Sequence, residues 1–98
     1  MNEWFKLDNK DGESILVECT KDAYGDVVIP NGITQIMDNA FENCPLITSI
    51  TIPNSIQKIG KNAFTGCESL TRLVFPKAVV SRIGGRNFVG HIFYEVSK

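Results

Sequence analysis

The chain has 98 residues, 43% of them hydrophobic, and a formal net charge of −1 at pH 7. This length fits a single domain with one modest core, and the apolar content excludes a disordered chain. Apolar runs are short, as in Ile15-Leu16-Val17, so no segment approaches the roughly 20 residues of a membrane-spanning helix. The start of the chain has no basic segment followed by an apolar stretch, and we expect no export signal in it.

Two apolar segments near the N terminus predict a β-hairpin. Residues 4–7 and 14–19 flank Asp11-Gly12, a dipeptide that favours the two-residue turn between antiparallel strands. The same stretch superficially resembles a calcium loop, but Lys10 and Gly12 stand where alternating ligands are expected, so a hairpin turn is favoured. We predict that residues 1–20 form a hairpin that caps one end of the domain.

The middle of the chain repeats itself. Residues 29–51 and 52–74 are identical at ten of 23 positions, and a third copy begins at Phe75-Pro76 and decays. A fixed period of this length is typical of stacked coils, in which a single coil cannot bury its own apolar face.

The apolar positions predict what each coil contains. Ile50 and Ile52 alternate with polar residues as in a half-buried strand, which Pro53 ends. A second short extended piece follows at 57–59, and residues 61–67 read as one or two helical turns with a glycine at the exit. Stacking the copies predicts ladders of equivalent core side chains: Ile36/Ile59/Ile83, Phe41/Phe64/Phe88, Cys44/Cys67/His91, Ile50/Leu73 and Ile52/Phe75.

The repeated pattern Ile-Pro-Asn-x-Ile-x-x-Ile-Gly-x-Asn-Ala-Phe-x-x-Cys-x-x-Leu-Thr-x-Leu resembles the BspA-like, or Treponema-type, leucine-rich repeat. The resemblance is close over 29–74 and loose over 75–91. It departs from the family at Met37, where a glycine is usual, and at Pro45-Leu46 after Cys44. The resemblance implies a right-handed β-solenoid with short helical segments. It also implies a non-enzymatic role in protein binding or adhesion, since the family has no shared catalytic residues. Members of the family are mostly bacterial proteins that are secreted or lie at the cell surface.

We therefore predict one leucine-rich-repeat domain over 1–98, with about three 23-residue coils. Residues 1–25 form the hairpin cap, 26–51 and 52–74 the well-formed repeats, and 75–98 a degenerate repeat with a C-terminal cap. The apolar run Ile92, Phe93, Tyr94 is interpreted as a strand that either closes the stack or leaves an exposed edge able to pair with another chain. We expect a homodimer through this edge, with head-to-tail stacking as the alternative.

No catalytic, cofactor or metal site is predicted. Cys44 and Cys67 occupy the same repeat position and read as buried thiols, and Cys19 makes the cysteine count odd, which excludes a complete disulfide framework. His91 takes the ladder position of a cysteine and reads as a packed residue. Arg82 and Arg86 flank two glycines and could contact an anion, although a simple loop is the commoner reading of such a segment.

The outward strand positions form the predicted interaction surface, in two columns: Asp26, Ser49, Arg72 and Val28, Thr51, Val74. Their sheet measures on the order of 200 Å², whereas a standard interface takes about 800 Å² per partner. A protein or cell-surface ligand must therefore also contact other faces, or several chains combine, or the chain is part of a longer array.

Charge is divided unevenly along the chain. Residues 1–49 carry a net charge of −6 and residues 50–98 a net charge of +5. The alternative function is therefore an anion- or glycan-binding protein that uses the basic half, with Arg72, Lys77, Arg82 and Arg86. Nucleic-acid binding is disfavoured because these charges are spread thinly. The unpaired cysteines fit a reducing cytoplasm as well as the resemblance fits the cell surface.

Overall fold

Strands dominate the computed structural model, which describes residues 4–83 and 93–97. In chain order they are β1 (Phe5–Lys10), β2 (Glu13–Cys19), β3 (Tyr24–Val28), β4 (Ile33–Ile36), β5 (Leu46–Thr51), β6 (Lys58–Ile59), β7 (Arg72–Pro76) and β8 (Phe93–Ser97). Helix α1 (Lys77–Ile83) lies between β7 and β8. The strands form two four-stranded sheets, sheet A with the order β1-β2-β4-β6 and sheet B with the order β3-β5-β7-β8.

Parallel strands pair at the spacing of the sequence repeat. In sheet A, Ile36 lies opposite Ile59, and in sheet B, Ile50 lies opposite Leu73. The residues of the two predicted columns pair across sheet B: Asp26 lies opposite Ser49 and Ser49 opposite Arg72, and Val28 lies opposite Thr51 and Thr51 opposite Val74. The repeat register read from the sequence is confirmed for these strands.

The predicted hairpin is also confirmed. β1 and β2 pair antiparallel, and Lys10 lies opposite Glu13 across the two turn residues. Asp11 and Gly12 have φ angles of 54° and 80°, which are the left-handed values that a type I′ turn requires at both positions. β2 then pairs in parallel with β4, so the hairpin is continuous with sheet A.

The helical turns predicted over 61–67 are wrong, because residues 61–66 form successive turns. Asn62 and Gly66 take φ angles of 58° and 80°, which an α-helix cannot contain. The backbone groups of this stretch bond to the preceding copy: Asn39, Phe41 and Asn43 donate N–H to the carbonyls of Lys61, Ala63 and Thr65 at 3.1, 2.7 and 2.9 Å. Carbonyls used between copies are not free for bonds within a helix.

The third copy departs from the predicted ladder at Ile83. This residue ends α1, so the structure has no strand there beside Ile59. Pro76 ends β7 directly before α1, and Val79 within the helix is fully buried. The strand predicted around 92–96 is confirmed as β8, which pairs in parallel with β7. The predicted roles of Arg86, Phe88, His91 and Ile92 lie outside the described residues.

The core lies between the two sheets and the turns. Phe41 and Phe64 pack with ring centroids 5.6 Å apart, and Phe5 of the hairpin meets Phe41 edge-on at 6.1 Å. The hairpin therefore extends the aromatic column of the repeats. The largest side chains that are almost wholly buried are Phe41, Phe64, Leu16, Ile29, Ile36, Ile47, Ile50, Ile52, Ile56, Leu70, Leu73 and Val27.

Gly60 shows how closely successive copies approach each other. A Cβ at this position would collide with the backbone of Met37 and Asp38 in the preceding copy. Asp38 also accepts a hydrogen bond from the Lys61 N–H through Oδ1 at 2.8 Å. The glycine in the repeated Ile-Gly pair is therefore needed at position 60 to let the preceding turn fit.

The aromatic column predicts a large stability effect at Phe64. We expect Phe64→Ala to reduce the free energy of unfolding by about 3–5 kcal/mol, because it opens a cavity between copies that cannot collapse. Tyr24→Ala is the matched control, since Tyr24 is exposed, and should cost about 1 kcal/mol or less. Urea denaturation measures both, and equal losses in the two variants would contradict the proposed column.

Candidate interaction surface

The six predicted surface residues lie together on the outward face of sheet B but differ in exposure. Val28 is 61% exposed, while Ser49 is only 7% exposed. Ser49 donates a hydrogen bond from Oγ to Oδ1 of Asp26 at 2.7 Å, so its hydroxyl is already used within the sheet. Asp26 and Arg72 are exposed, whereas Thr51 and Val74 are half-buried. The accessible part of the two columns is therefore concentrated on Asp26, Val28 and Arg72.

Sequence reasoning missed two residues of this face. Tyr24 and Leu46 lie opposite each other at the start of β3 and β5, and they are 64% and 54% exposed. A shift in strand register after Gly25 places one extra residue in β5 before Ser49. This bulge breaks the two-residue alternation that would have pointed to Leu46. In β3 the alternation of Tyr24, Asp26 and Val28 is intact and could have revealed Tyr24.

An aromatic pair borders this face. Trp4, which precedes β1, packs edge-on against Tyr24 with ring centroids 5.3 Å apart. The carbonyl of Trp4 accepts a hydrogen bond from the Thr20 N–H at 2.8 Å, which fixes the start of the hairpin beside β3. Of the large exposed hydrophobic residues in the described chain, Tyr24, Val28 and Leu46 share sheet B, and Leu7 and Met37 lie elsewhere. Apolar exposure is thus greatest near β3.

The candidate anion contact is partly engaged within the protein. The Arg82 guanidinium donates from Nη1 to the carbonyl oxygens of Asn54 and Ile56, at 2.5 and 3.1 Å. These bonds hold α1 against the chain segment before β6. A shallow groove of about 400 Å³ adjoins it, and its charged lining residues are Asp38, Lys58, Lys61 and Arg82.

A larger open groove of about 860 Å³ lies between the hairpin and the first turn region. Its lining mixes aromatic, acidic and basic side chains, with Trp4 and Phe5 beside Glu18, Lys21 and Glu42. Among the described residues, no group of three or more histidine, cysteine, aspartate or glutamate side chains could hold a metal ion. No helix in the described ranges is long and apolar enough to cross a membrane.

The three thiols form a buried column in the interior. Cys19, Cys44 and Cys67 are all free and buried, as predicted for Cys44 and Cys67. Cys67 Sγ donates to the carbonyl of Phe41 at 2.8 Å, and Cys44 Sγ lies 3.7 Å from the carbonyl of Cys19. A hydrogen bond with Cys19, together with burial, raises the pKa of Cys44 to about 11. A hydrogen bond with Cys44 and burial also raise the pKa of Cys67. Both thiols are therefore kept protonated and unreactive at neutral pH.

Comparison with known proteins places this architecture among leucine-rich repeats. A family model described as a BspA type leucine-rich repeat region (6 copies) matches residues 13–96. A leucine-rich repeat protein from Bacteroides ovatus ATCC 8483 is 27% identical with a TM-score of 0.62, over 74% of this chain and 18% of that one. A leucine rich cell surface protein from Faecalibacterium prausnitzii A2-165 is 19% identical with a TM-score of 0.56, over 94% of this chain and 38% of that one. This chain thus spans well under half of either solved protein. No curated protein matches it.

The raised pKa values predict a loss of stability at alkaline pH. The unfolded thiols ionise near pH 9, whereas folded Cys44 stays protonated to about pH 11, so ionisation favours unfolding as the pH rises between these values. Between pH 9 and pH 10 we expect wild type to lose about 1 kcal/mol per thiol relative to Cys44→Ala/Cys67→Ala, and less between pH 8 and pH 9. Urea denaturation with a phosphine reductant at pH 8, 9 and 10 measures this difference.

A second variant controls for lost packing in this experiment. Ile47→Val removes buried volume without a titrating group, because Ile47 is fully buried. It should be destabilised yet keep the pH dependence of wild type. If the cysteine double variant also kept that dependence, the thiols would not be its source.

Proposed function

The chain belongs to the family of BspA-type leucine-rich-repeat proteins, and from this premise we propose that it is a non-enzymatic protein-binding module. The observation that carries the proposal is the outward face of sheet B, where Tyr24, Val28 and Leu46 are each more than half exposed. Soluble domains seldom gather large apolar side chains on one face unless a partner covers them. Asp26 and Arg72 add charges of opposite sign on the same face, which would orient a partner.

The proposed architecture is a right-handed β-solenoid of about three coils, with residues 1–25 as its cap, 26–51 and 52–74 as repeats, and 75–98 as a degenerate repeat. Parallel pairing at the repeat spacing in both sheets supports this reading. Such stacking aligns equivalent residues into columns, and columns on an outward face make a continuous binding strip.

The partner is proposed to be a protein or a ligand on a cell surface, consistent with an adhesion role. The six-residue surface is on the order of 200 Å², and Tyr24 and Leu46 enlarge it without reaching the roughly 800 Å² of a standard interface. Contact with the neighbouring hairpin or with further copies would supply the difference. A location at the cell surface or in secreted form is proposed from the family, and the F. prausnitzii protein of the same fold is described as a cell surface protein.

The alternative, an anion- or glycan-binding protein, rests on the basic half of the chain. Lys77 and Arg82 are exposed on α1. The bonds from Arg82 to two backbone carbonyls occupy one side of its guanidinium and count against a role in binding free anions. Protein binding through sheet B is therefore preferred.

Paired lysine variants test the proposed face. Partners captured by chemical cross-linking would be purified and titrated by calorimetry against wild type, Val28→Lys and Leu7→Lys. Leu7 is the matched control because it is a 48% exposed aliphatic residue on β1 of the other sheet. We expect Val28→Lys to weaken binding at least tenfold and Leu7→Lys to leave it within twofold.

Two outcomes would contradict this proposal. Equal affinities for all three proteins would show that sheet B is not the binding face. Salt-sensitive binding to heparin that is lost in Arg82→Glu and kept in Val28→Lys would favour the anion-binding alternative. Circular dichroism of each variant controls for folding.

We also propose self-association through the C-terminal edge. β8 is the last strand of sheet B, and the run Ile92, Phe93, Tyr94 overlaps its start. Two copies paired edge to edge would form a closed two-fold dimer, with head-to-tail stacking of the charged ends as the alternative. Sedimentation velocity should show a salt-insensitive dimer that Phe93→Lys dissociates and Leu7→Lys does not. A monomer at all concentrations, or assembly that grows at low salt, would contradict the edge dimer.

A further inference from the structure

Strand β3 is an edge strand whose free side is identifiable from one hydrogen bond. Ile29, which follows β3, donates its N–H to the carbonyl of Thr51 at 3.1 Å. Backbone groups alternate along a strand, so the N–H and C=O groups of Asp26 and Val28 point to the opposite side. No other backbone group in residues 4–83 and 93–97 pairs with them. An unpaired ladder of this kind is a template for one more strand.

The two sheets differ at this end of the molecule. In sheet A, β1 lies antiparallel against β2 and takes the place that a preceding parallel strand would need. Sheet B has no corresponding strand beside β3 within the described residues. A complete additional coil therefore cannot continue both sheets, whereas a single extended strand can pair with β3.

The outer edge of β1 is also unpaired in the described chain, but its residues oppose strand pairing. β1 has the sequence Phe-Lys-Leu-Asp-Asn-Lys and carries three charged residues, Lys6, Asp8 and Lys10. Charged residues, lysine above all, protect edge strands from unwanted pairing. β3 carries one charge, that of Asp26, between two large exposed side chains, Tyr24 and Val28. Of these two edges, β3 is the one suited to receive a strand.

The side chains along β3 define the chemistry of that strand. Tyr24, backed by Trp4, and Val28 offer apolar contacts at two positions four residues apart. Asp26 lies between them, and its carboxylate, which accepts the Ser49 hydroxyl through Oδ1, retains acceptor capacity for a cation. Directly opposed side chains in neighbouring strands interact most strongly, so an added strand matches β3 when apolar residues flank a basic one.

We propose that the free edge of β3 binds an extended peptide segment of a partner by strand addition, with the pattern apolar-x-basic-x-apolar. This inference rests on the proposed protein-binding function and names the kind of partner. Backbone hydrogen bonds supply affinity and the alternate side chains supply specificity in this mode of recognition. The net charge of −6 on residues 1–49 attracts a basic segment to this end of the molecule.

A second copy of the chain is a poorer occupant of this edge. Two β3 strands pairing about a two-fold axis through their centres would place Asp26 opposite Asp26 of the other copy. Like charges directly opposed across a ladder are destabilising. The basic peptide removes that repulsion, and the measurements below separate the two occupants.

The test uses a fluorescent synthetic peptide, Thr-Val-Thr-Arg-Thr-Val-Thr, and fluorescence anisotropy with the full chain. Replacing the arginine of the peptide with glutamate should weaken binding at least tenfold. Asp26→Lys should reverse this preference, so that the glutamate peptide binds more tightly. Asp8→Lys, the same charge change on the edge of β1, should leave both affinities within twofold of wild type.

Backbone methylation makes the test specific for strand addition. One peptide carries N-methyl groups on its valine and arginine residues, and another carries them on its threonines. Only one alternating set of amides can face β3, so one methylated peptide should lose binding at least tenfold and the other should retain it. Which of the two methylated peptides loses binding also reports whether the peptide lies parallel or antiparallel to β3.

Each remaining outcome overturns the strand-addition proposal. Equal binding of both methylated peptides, or equal effects of Asp26→Lys and Asp8→Lys, would mean general electrostatic attraction. Absence of peptide binding while Val28→Lys still abolishes binding of the cross-linked partner would refute strand addition and leave the proposed function standing. Sedimentation showing a dimer that Asp26→Lys changes, with no peptide binding, would identify a second copy as the occupant.

Discussion

Backbone hydrogen bonding between successive copies of the repeat is the constraint on which the rest of the structure depends. It operates in both sheets and again in the turns, where Phe41 bonds to Ala63. Strand and turn residues of the first copy are thereby tied to residues of the next copy. A side chain at a given repeat position must therefore pack against its own equivalent, as Phe41 does against Phe64. This requirement accounts for the identities between copies at the interior isoleucine, alanine, phenylalanine and cysteine positions.

The same hydrogen bonding between copies confines departures from the repeat to the two ends of the molecule. At one end the hairpin replaces a repeat strand in sheet A while keeping the aromatic column through Phe5. At the other end α1 follows β7, and Arg82 joins it to the carbonyls of Asn54 and Ile56. The ends of the two sheets thus differ from each other: β1 forms the edge of sheet A, and β3 forms the edge of sheet B within the described residues. Loss of the repeat at the ends thus creates the edges and exposed residues on which the proposed recognition depends.

The side chains that can contact another molecule lie on the surface of the protein rather than in its interior. The buried thiols of Cys44 and Cys67 are held protonated by hydrogen bonding and burial, so they act as small packing groups. Polar groups on sheet B partly satisfy each other, as the bond from Ser49 to Asp26 shows. What remains exposed on sheet B is apolar area next to an acidic residue and, within the described residues, an unpaired edge of β3. These are the elements of peptide and protein recognition.

The sequence alone determined the repeat length, the family, the strand register, the hairpin turn and the buried positions of Phe41, Phe64, Cys44 and Cys67. These follow from short-range patterns and from exact spacing, which a parallel ladder preserves. Only the tertiary structure decided that residues 61–66 form turns, because their carbonyls bond to the preceding copy rather than within a helix. Likewise, only the tertiary structure shows that a bulge in β5 exposes Leu46 beside Tyr24 and that α1 takes the place of a third extended piece at Ile83. It also shows that, within the described residues, β3 pairs with a strand on one side only. Each of these features depends on contacts between residues far apart in the chain, which local sequence periodicity cannot predict.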